Sequence, residues 1–482
     1  MTSKLLNNLQ SLSLFTYFAE VMKSQKSILA LIPVTLCYLI SIDKPFFWDT
    51  THLASAQAQW FYNHGLNNIL LPDSIDSGHP PFTGWLLAVM WNIFGKGLVQ
   101  SHLLMLPFLV TALWQMLLVL KHYFPKEYGL LGWLFFFNPI LLTQSMLVSP
   151  DIILFAGFFT TLHGILNKKY WKIVVGSVLL SLVSMRGMVC VASLAVFGAI
   201  RSDIFTKGSS AFTIYFIRFL PSTITGGGFL LYHFISKGWI GYHTGSPWAP
   251  SFAKAGLSDF FRNLLVLGWR FVDQGMIFIW LFPLWILIRK RSIISSRTKE
   301  LLILFAILLI LLATPQLFYN YLLMHRYLYP CIAILTLAAC SVVIDYGKLK
   351  NYVITTVVLL ISGLAWIYPD NISKGWDIMP LHYSYYTHRA SILEKMKTDG
   401  IDPKQTGAGF PYETASSIID LSNDSIPFAV QDINTNPYIL YSNISNDFSD
   451  ETIRTLKSSW TPVARSGRWP VYFILYKRPT DH

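Results

Sequence analysis

Charge is scarce in this chain. Asp, Glu, Lys and Arg make up 13% of its 482 residues and hydrophobic residues 53%, whereas an ordinary soluble domain carries roughly 25% charge. A water-soluble globule is excluded, because too few polar side chains remain to cover one. Cysteine is scarce too. Cys37, Cys190, Cys331 and Cys340 all lie within or beside apolar runs, so the polar C-terminal part has no cysteine and no disulfide framework. Three further absences matter. No basic, aromatic-interleaved face accompanies the net charge of +12, which excludes a nucleic-acid partner. No small-residue cleavage pattern follows the first apolar run, so Ser27 to Ile42 reads as a retained helix rather than a removed signal. No internal repeat of the inverted-transporter kind is visible.

What the sequence has instead is a series of uncharged stretches near the roughly 20 residues that cross hydrocarbon as helix. They fall near 27–42, 101–120, 128–149, 152–167, 173–185, 187–200, 211–235, 274–288, 301–319, 327–345 and 351–369. The expected fold is an all-α polytopic membrane protein of about eleven transmembrane helices, spanning 1–369. Residues 370–482 are expected to form a small soluble α/β domain, with helical pieces at 389–397 and 449–458 and strands at 428–431, 438–441 and 471–476. Residues 82–98, Trp-rich and broken by glycines, read as an interfacial or re-entrant helix, and 53–63 as a helix lying in the interface. With a cytoplasmic N-terminus, the inside segments hold more than twice the Lys and Arg of the longer outside segments that precede the C-terminal part. The positive-inside rule therefore puts the loop 43–100 and the C-terminal domain on the extracytoplasmic side.

Under this topology the ionisable residues at span ends share one face. Asp49 follows the first helix, and Asp76 and His79 sit in the long external loop, His79 before Pro80-Pro81. Asp151 separates two uncharged spans with almost no loop, Arg186 interrupts the uncharged stretch 173–200, and His325-Arg326-Tyr327 follows about 24 uncharged residues. Each has a plainer reading. Asp49 could be a surface or capping carboxylate, His79 an incidental neighbour of two stiffening prolines, Asp151 a helix cap, and Arg186 a snorkelling cation. Isolated charges at a membrane edge are costly unless they meet a cavity or a partner, and one cavity could collect them all. Arginines with carboxylates at a lipid–water boundary suit a reaction whose leaving group is a lipid-linked phosphate: guanidinium forks bind phosphate oxygens, and a carboxylate accepts a proton from an attacking hydroxyl.

With these residues the chain resembles the C-type (GT-C) integral membrane glycosyltransferases, in particular the dolichyl-phosphate-mannose protein mannosyltransferase-like and aminoarabinose transferase-like group. The resemblance is carried by Phe47-Trp48-Asp49, Gly78-His79-Pro80-Pro81-Phe82, Ser149-Pro150-Asp151, Met185-Arg186-Gly187 and Arg326-Tyr327-Leu328-Tyr329-Pro330, and extends to about Tyr368. It implies an inverting glycosyltransferase that moves a sugar from a polyprenyl-phosphate donor to an envelope lipid, glycan or protein acceptor at the outer face of a bacterial inner membrane. Asp49 would be the catalytic base or orient the acceptor. Arg186 and Arg326, with His79 and Tyr327, would hold the donor phosphate, and Asp151, Asp76, His325 and His52 would line the substrate. The chain departs from the pattern at Thr50, where many relatives have a second acid, and at Gly78, where aminoarabinose transferases have an acid. No obligatory metal is expected, although Asp49, His52, Asp76 and His79 could hold a divalent cation if folded together. The competing expectations are a carrier or flippase for a lipid-linked or polar solute and a noncatalytic assembly subunit.

Overall fold

The computed structural model describes residues 25–245, 249–290, 294–320, 323–366, 368, 374–445 and 447–479. The boundary expected at Pro369 lies outside them. Among the described residues, four helical stretches are long and apolar enough to cross a membrane: Leu98–Tyr123, Ser209–Lys237, Ser296–Phe318 and His325–Tyr346. Six apolar helices of 10–17 residues account for five more of the expected spans and for the re-entrant piece, among them Ser27–Ile40, Phe82–Phe94 and Tyr170–Val183. At 1.5 Å per residue such helices reach at most about 25 Å, short of a hydrocarbon core of roughly 30 Å. The helix lengths among the described residues therefore do not confirm the expected count of eleven full crossings.

The buried pillar of the helical part is α1, Pro150–Leu166, in which every residue is buried. It packs against α2, Tyr170–Val183, and the long helix Leu98–Tyr123. Pro150 needs no intrahelical partner at the first helical position, and the hydroxyl of Ser149 accepts from the backbone N–H of Asp151 at 3.1 Å. The cap is thus Ser149, and Asp151 stands in the first turn rather than capping it. α3, Met185–Arg201, starts the same way: Ser184 accepts from the N–H of Gly187 at 3.2 Å, which puts Arg186 in the first turn. Only glycine fits at 187, because a Cβ there would lie 1.9 Å from the carbonyl oxygen of Leu180.

The stretch 128–149 is not one span. It divides into Tyr128–Phe136 and Pro139–Ser145, because Pro139 has no N–H and Asn138, in extended conformation, recaps the chain by accepting from Ile140 N at 3.0 Å. Residues 53–63 also differ from expectation. A π turn, Thr51–Ala56, runs into the helix Gln57–His64, and part of its polar side is packed on protein instead of lying at the interface. Ser55 donates to Ile418 O at 2.6 Å and Gln59 to Ser417 O at 2.6 Å.

The C-terminal region carries a five-stranded mixed sheet. Its strands are β1 Thr406–Ala408, β2 Ala429–Val430, β3 Tyr438–Ser442, β4 Thr461–Gly467 and β5 Tyr472–Lys477, in the order β2-β1-β3-β5-β4. β1 runs parallel to β2 and β3, while β5 is antiparallel to β3 and β4. The helices Ser384–Thr398 and Asp450–Ser459 flank it. The core of this region includes Phe47 and Leu147 from the helical part, so its packing does not stop where the polar composition begins.

Candidate active site

Asp49 is held on a tight turn. Thr50 accepts from Phe47 N at 2.9 Å and donates to Phe47 O at 2.7 Å, and Trp48 takes a left-handed φ of 53°, a conformation uncommon for a bulky side chain. Thr50, the first departure from the resembled pattern, is therefore occupied in closing the turn that carries Asp49. The other departure, Gly78, has φ +69°, and a Cβ there would lie 2.5 Å from Gly241 O; no acidic residue fits.

Arg326, in the short turn His325–Leu328, sits among three carboxylates. Its Nη1 donates to Asp151 Oδ2 at 3.2 Å, its Nη2 to Asp49 Oδ2, and its Nε lies 3.0 Å from Asp377 Oδ2. The other oxygen of Asp151 pairs with Arg186 Nη1 at 2.9 Å. The Arg186 guanidinium stacks 3.9 Å from the ring centroid of Tyr327. Asp151 and Arg326 are fully enclosed, whereas the side chains of Asp49 and Arg186 remain 17% and 19% exposed. Buried carboxylates and guanidiniums on this scale persist only when paired, and here two cations share three anions.

Asp49, His79, Arg186 and Tyr327 line one cavity of about 310 Å³. Its remaining wall is largely apolar, with Leu53, Val189, Leu311, Leu312, Pro315 and Met324. The cavity thus combines charged and polar groups with a lining that is largely hydrocarbon. His79 faces it with a buried Nδ1 that has no hydrogen-bond partner. Burial first and the Arg186 charge second push its pKa down to about 4, against a smaller opposing effect of Asp151, so the imidazole is neutral at neutral pH.

Not every expected residue comes here. Asp151 and Arg326 stand behind the lining rather than in it. Asp76 turns away: it accepts from Gly78 N at 2.8 Å and pairs with His233 at 3.1 Å, with Lys237 3.8 Å away, tying the loop to the helix Leu220–Lys237. His52 bonds Thr414 Oγ1 at 3.0 Å and stacks near Phe410, a contact with the C-terminal region. His325 lies 2.9 Å from Asp273, which also accepts from Tyr368. The quartet Asp49, His52, Asp76 and His79 is accordingly not gathered, and among the described residues no group of three or more His, Cys, Asp or Glu is arranged to hold a metal ion.

Sequence reasoning missed Asp377, Asp273, His233 and Gln144. Gln144 had a signal, the polar run Thr143-Gln144-Ser145 inside an uncharged stretch. Asp377 had none, since an acid in a polar region draws no attention.

No family model matches the chain, and no curated protein is similar to it in sequence. Among solved structures it is similar to the crystal structure of ArnT from Cupriavidus metallidurans bound to undecaprenyl phosphate, with a TM-score of 0.53 at 11% identity over 93% of this chain and 97% of that one. The apo structure of the same protein covers the same shares at 12% identity, with a TM-score of 0.47. The chain resembles the ArnT fold over nearly its whole length.

Proposed function

We propose that this protein is an inverting glycosyltransferase that takes a sugar from a polyprenyl-phosphate donor. The observation that carries the reading is that Asp49 and Arg186, distant in sequence, line one cavity whose lining also includes many apolar side chains. An amphiphile with an anionic head and an isoprenoid tail matches that combination: its phosphate meets Arg186, and its tail lies along Leu311, Leu312 and Pro315. The likeness to a fold seen with undecaprenyl phosphate in ArnT supports the same donor class.

The chemistry follows from the pairing. Arg326 orients Asp49, so its other oxygen can accept the proton of an acceptor hydroxyl. The hydroxyl oxygen attacks the anomeric carbon from the face opposite the phosphate. The bond from that carbon to the phosphate oxygen breaks, and the lipid phosphate leaves with the electron pair and inverts the centre. Arg186, fixed by Asp151 and by its stack on Tyr327, stabilises the charge that develops on the leaving oxygen, and the positive end of α3 adds to it. Neutral His79 is available to hydrogen-bond the phosphate or sugar. On this reading the site faces the extracytoplasmic side of a bacterial inner membrane, and the acceptor is a lipid, glycan or protein of the envelope.

The test is transfer of labelled sugar from a polyprenyl-phosphate donor by purified protein. Asp49→Asn should lower kcat about a hundredfold or more, the usual worth of a general base, while leaving donor binding in place. Full activity in that variant would remove the assigned base.

A further inference from the structure

The third carboxylate on Arg326 comes from outside the helical part. Asp377 lies in the turn Trp376–Ile378 at the entry to the C-terminal region, and it occupies the Nε edge of the guanidinium, the edge that Asp49 and Asp151 leave open. The same turn reaches Asp151 by a second route. Gln144 Nε2 donates to the Asp377 carbonyl at 2.7 Å, Ser149 Oγ donates to Gln144 Oε1 at 2.5 Å, and the N–H of Asp151 donates to Ser149 Oγ. The turn is in turn fixed to the sheet region, where Trp376 Nε1 donates to Asn443 O at 3.0 Å.

The charge balance makes this arrangement informative. Asp49, Asp151 and Asp377 outnumber Arg186 and Arg326 by one, and a surplus negative charge opposes binding of a phosphate. A carboxylate at that position works against donor affinity, so its benefit must lie in geometry. The Asp377 carboxylate lies 3.0 Å from Nε as an ion-pair neighbour rather than a hydrogen-bond acceptor, and a negative charge fixed beside that edge favours the one in-plane orientation in which the two remaining nitrogens meet Asp151 and Asp49.

We propose that Asp377 is a positioning residue of the active site: it holds Arg326 edge-on so that Arg326 presents Asp49 to the cavity, which makes the C-terminal region part of the site rather than a separate binding module. This rests on the glycosyl-transfer reading. The test uses the full chain, with sugar transfer and the binding of polyprenyl phosphate alone measured separately. Asp377→Asn keeps the shape and removes the charge; kcat should fall about tenfold or more through misplacement of Asp49, while polyprenyl phosphate should bind several-fold tighter. Gln144→Met cuts the second route without changing charge, so kcat should fall and phosphate affinity should stay as in the wild type. Wild-type kcat and affinity in both variants would overturn the proposal, as would joint loss of turnover and binding with a lowered unfolding temperature, the mark of a merely structural role. Failure of the underlying reading looks different: the unaltered protein binds polyprenyl phosphate but transfers no sugar, and the tightening in Asp377→Asn, or its absence, still decides whether Asp377 acts on the site.

Discussion

At the scale of single residues, the site depends on what a guanidinium can do that an ammonium cannot. Arg186 pairs with Asp151 at 2.9 Å while its guanidinium carbon sits 3.9 Å from the Tyr327 ring centroid, a combination that suits a planar, delocalised cation. Arg186→Lys keeps the charge and loses both the fork and the stack. Steady-state kinetics should show the donor KM rising about tenfold, roughly 1.4 kcal/mol of lost phosphate binding, with a smaller change in kcat. The residues legible in the sequence share one property: Asp49, Asp151, Arg186 and Arg326 are charges in uncharged surroundings, where each is costly and therefore conspicuous. Partners were not legible, because a common membrane face does not say which groups touch. Asp76 and His325 meet that criterion of side and are nevertheless spent on His233 and Asp273.

At the scale of elements, helix starts aim the chemistry. Asp151 and Arg186 each occupy the first turn of a helix capped by a serine, so the direction of each side chain follows from where its helix begins. Gly187 lets α3 begin directly against the end of α2. Gly187→Ala must push the two helices apart, since helix backbone cannot yield as a flexible side chain does. Overpacking of this sort costs typically about 1–3 kcal/mol, and a lower unfolding temperature together with a raised donor KM would report it. The apolar runs made most helices legible. What they hid was interruption: hydropathy is blind to the missing N–H of Pro139, and 128–149 passed as one span. In the C-terminal region β4 escaped notice for the opposite reason. Its sequence, with Pro462 and Gly467 and mostly exposed side chains, is that of an irregular edge strand paired on one side only.

At the scale of the whole molecule, the helical part and the sheet region share a core at the turn that carries Asp49. His382 is buried against Phe47, with ring centroids 4.5 Å apart, and its Nδ1 donates to Met379 O at 2.8 Å, with Tyr386 Oη 3.5 Å from Nε2. Burial pushes its pKa down to about 4, the Met379 carbonyl opposing weakly. The unfolded chain has a histidine pKa of about 6.5. Above that pH both states are neutral and no stability is lost. As pH falls from 6.5 toward 4 the unfolded state takes up a proton that the folded state refuses, so stability drops by at most on the order of 3 kcal/mol from this residue. Unfolding temperature should therefore decline between pH 6.5 and 4, and His382→Asn, which retains a donor for Met379, should flatten that decline. An equally steep decline in the variant would clear His382 of the effect.

The clamp around Asp49 also has a consequence for how the protein is made. Phe46 N donates to Ile419 O, and Ser55 bonds Ile418 across 363 residues of chain. A ribosome therefore delivers the loop that bears the acid long before it delivers the segment that fastens it. During that interval the first helices can enter the bilayer, but the turn that bears Asp49 has only its local bonds to Thr50 and those of the helical part, so its fastening to 418–419 is completed only near the end of synthesis.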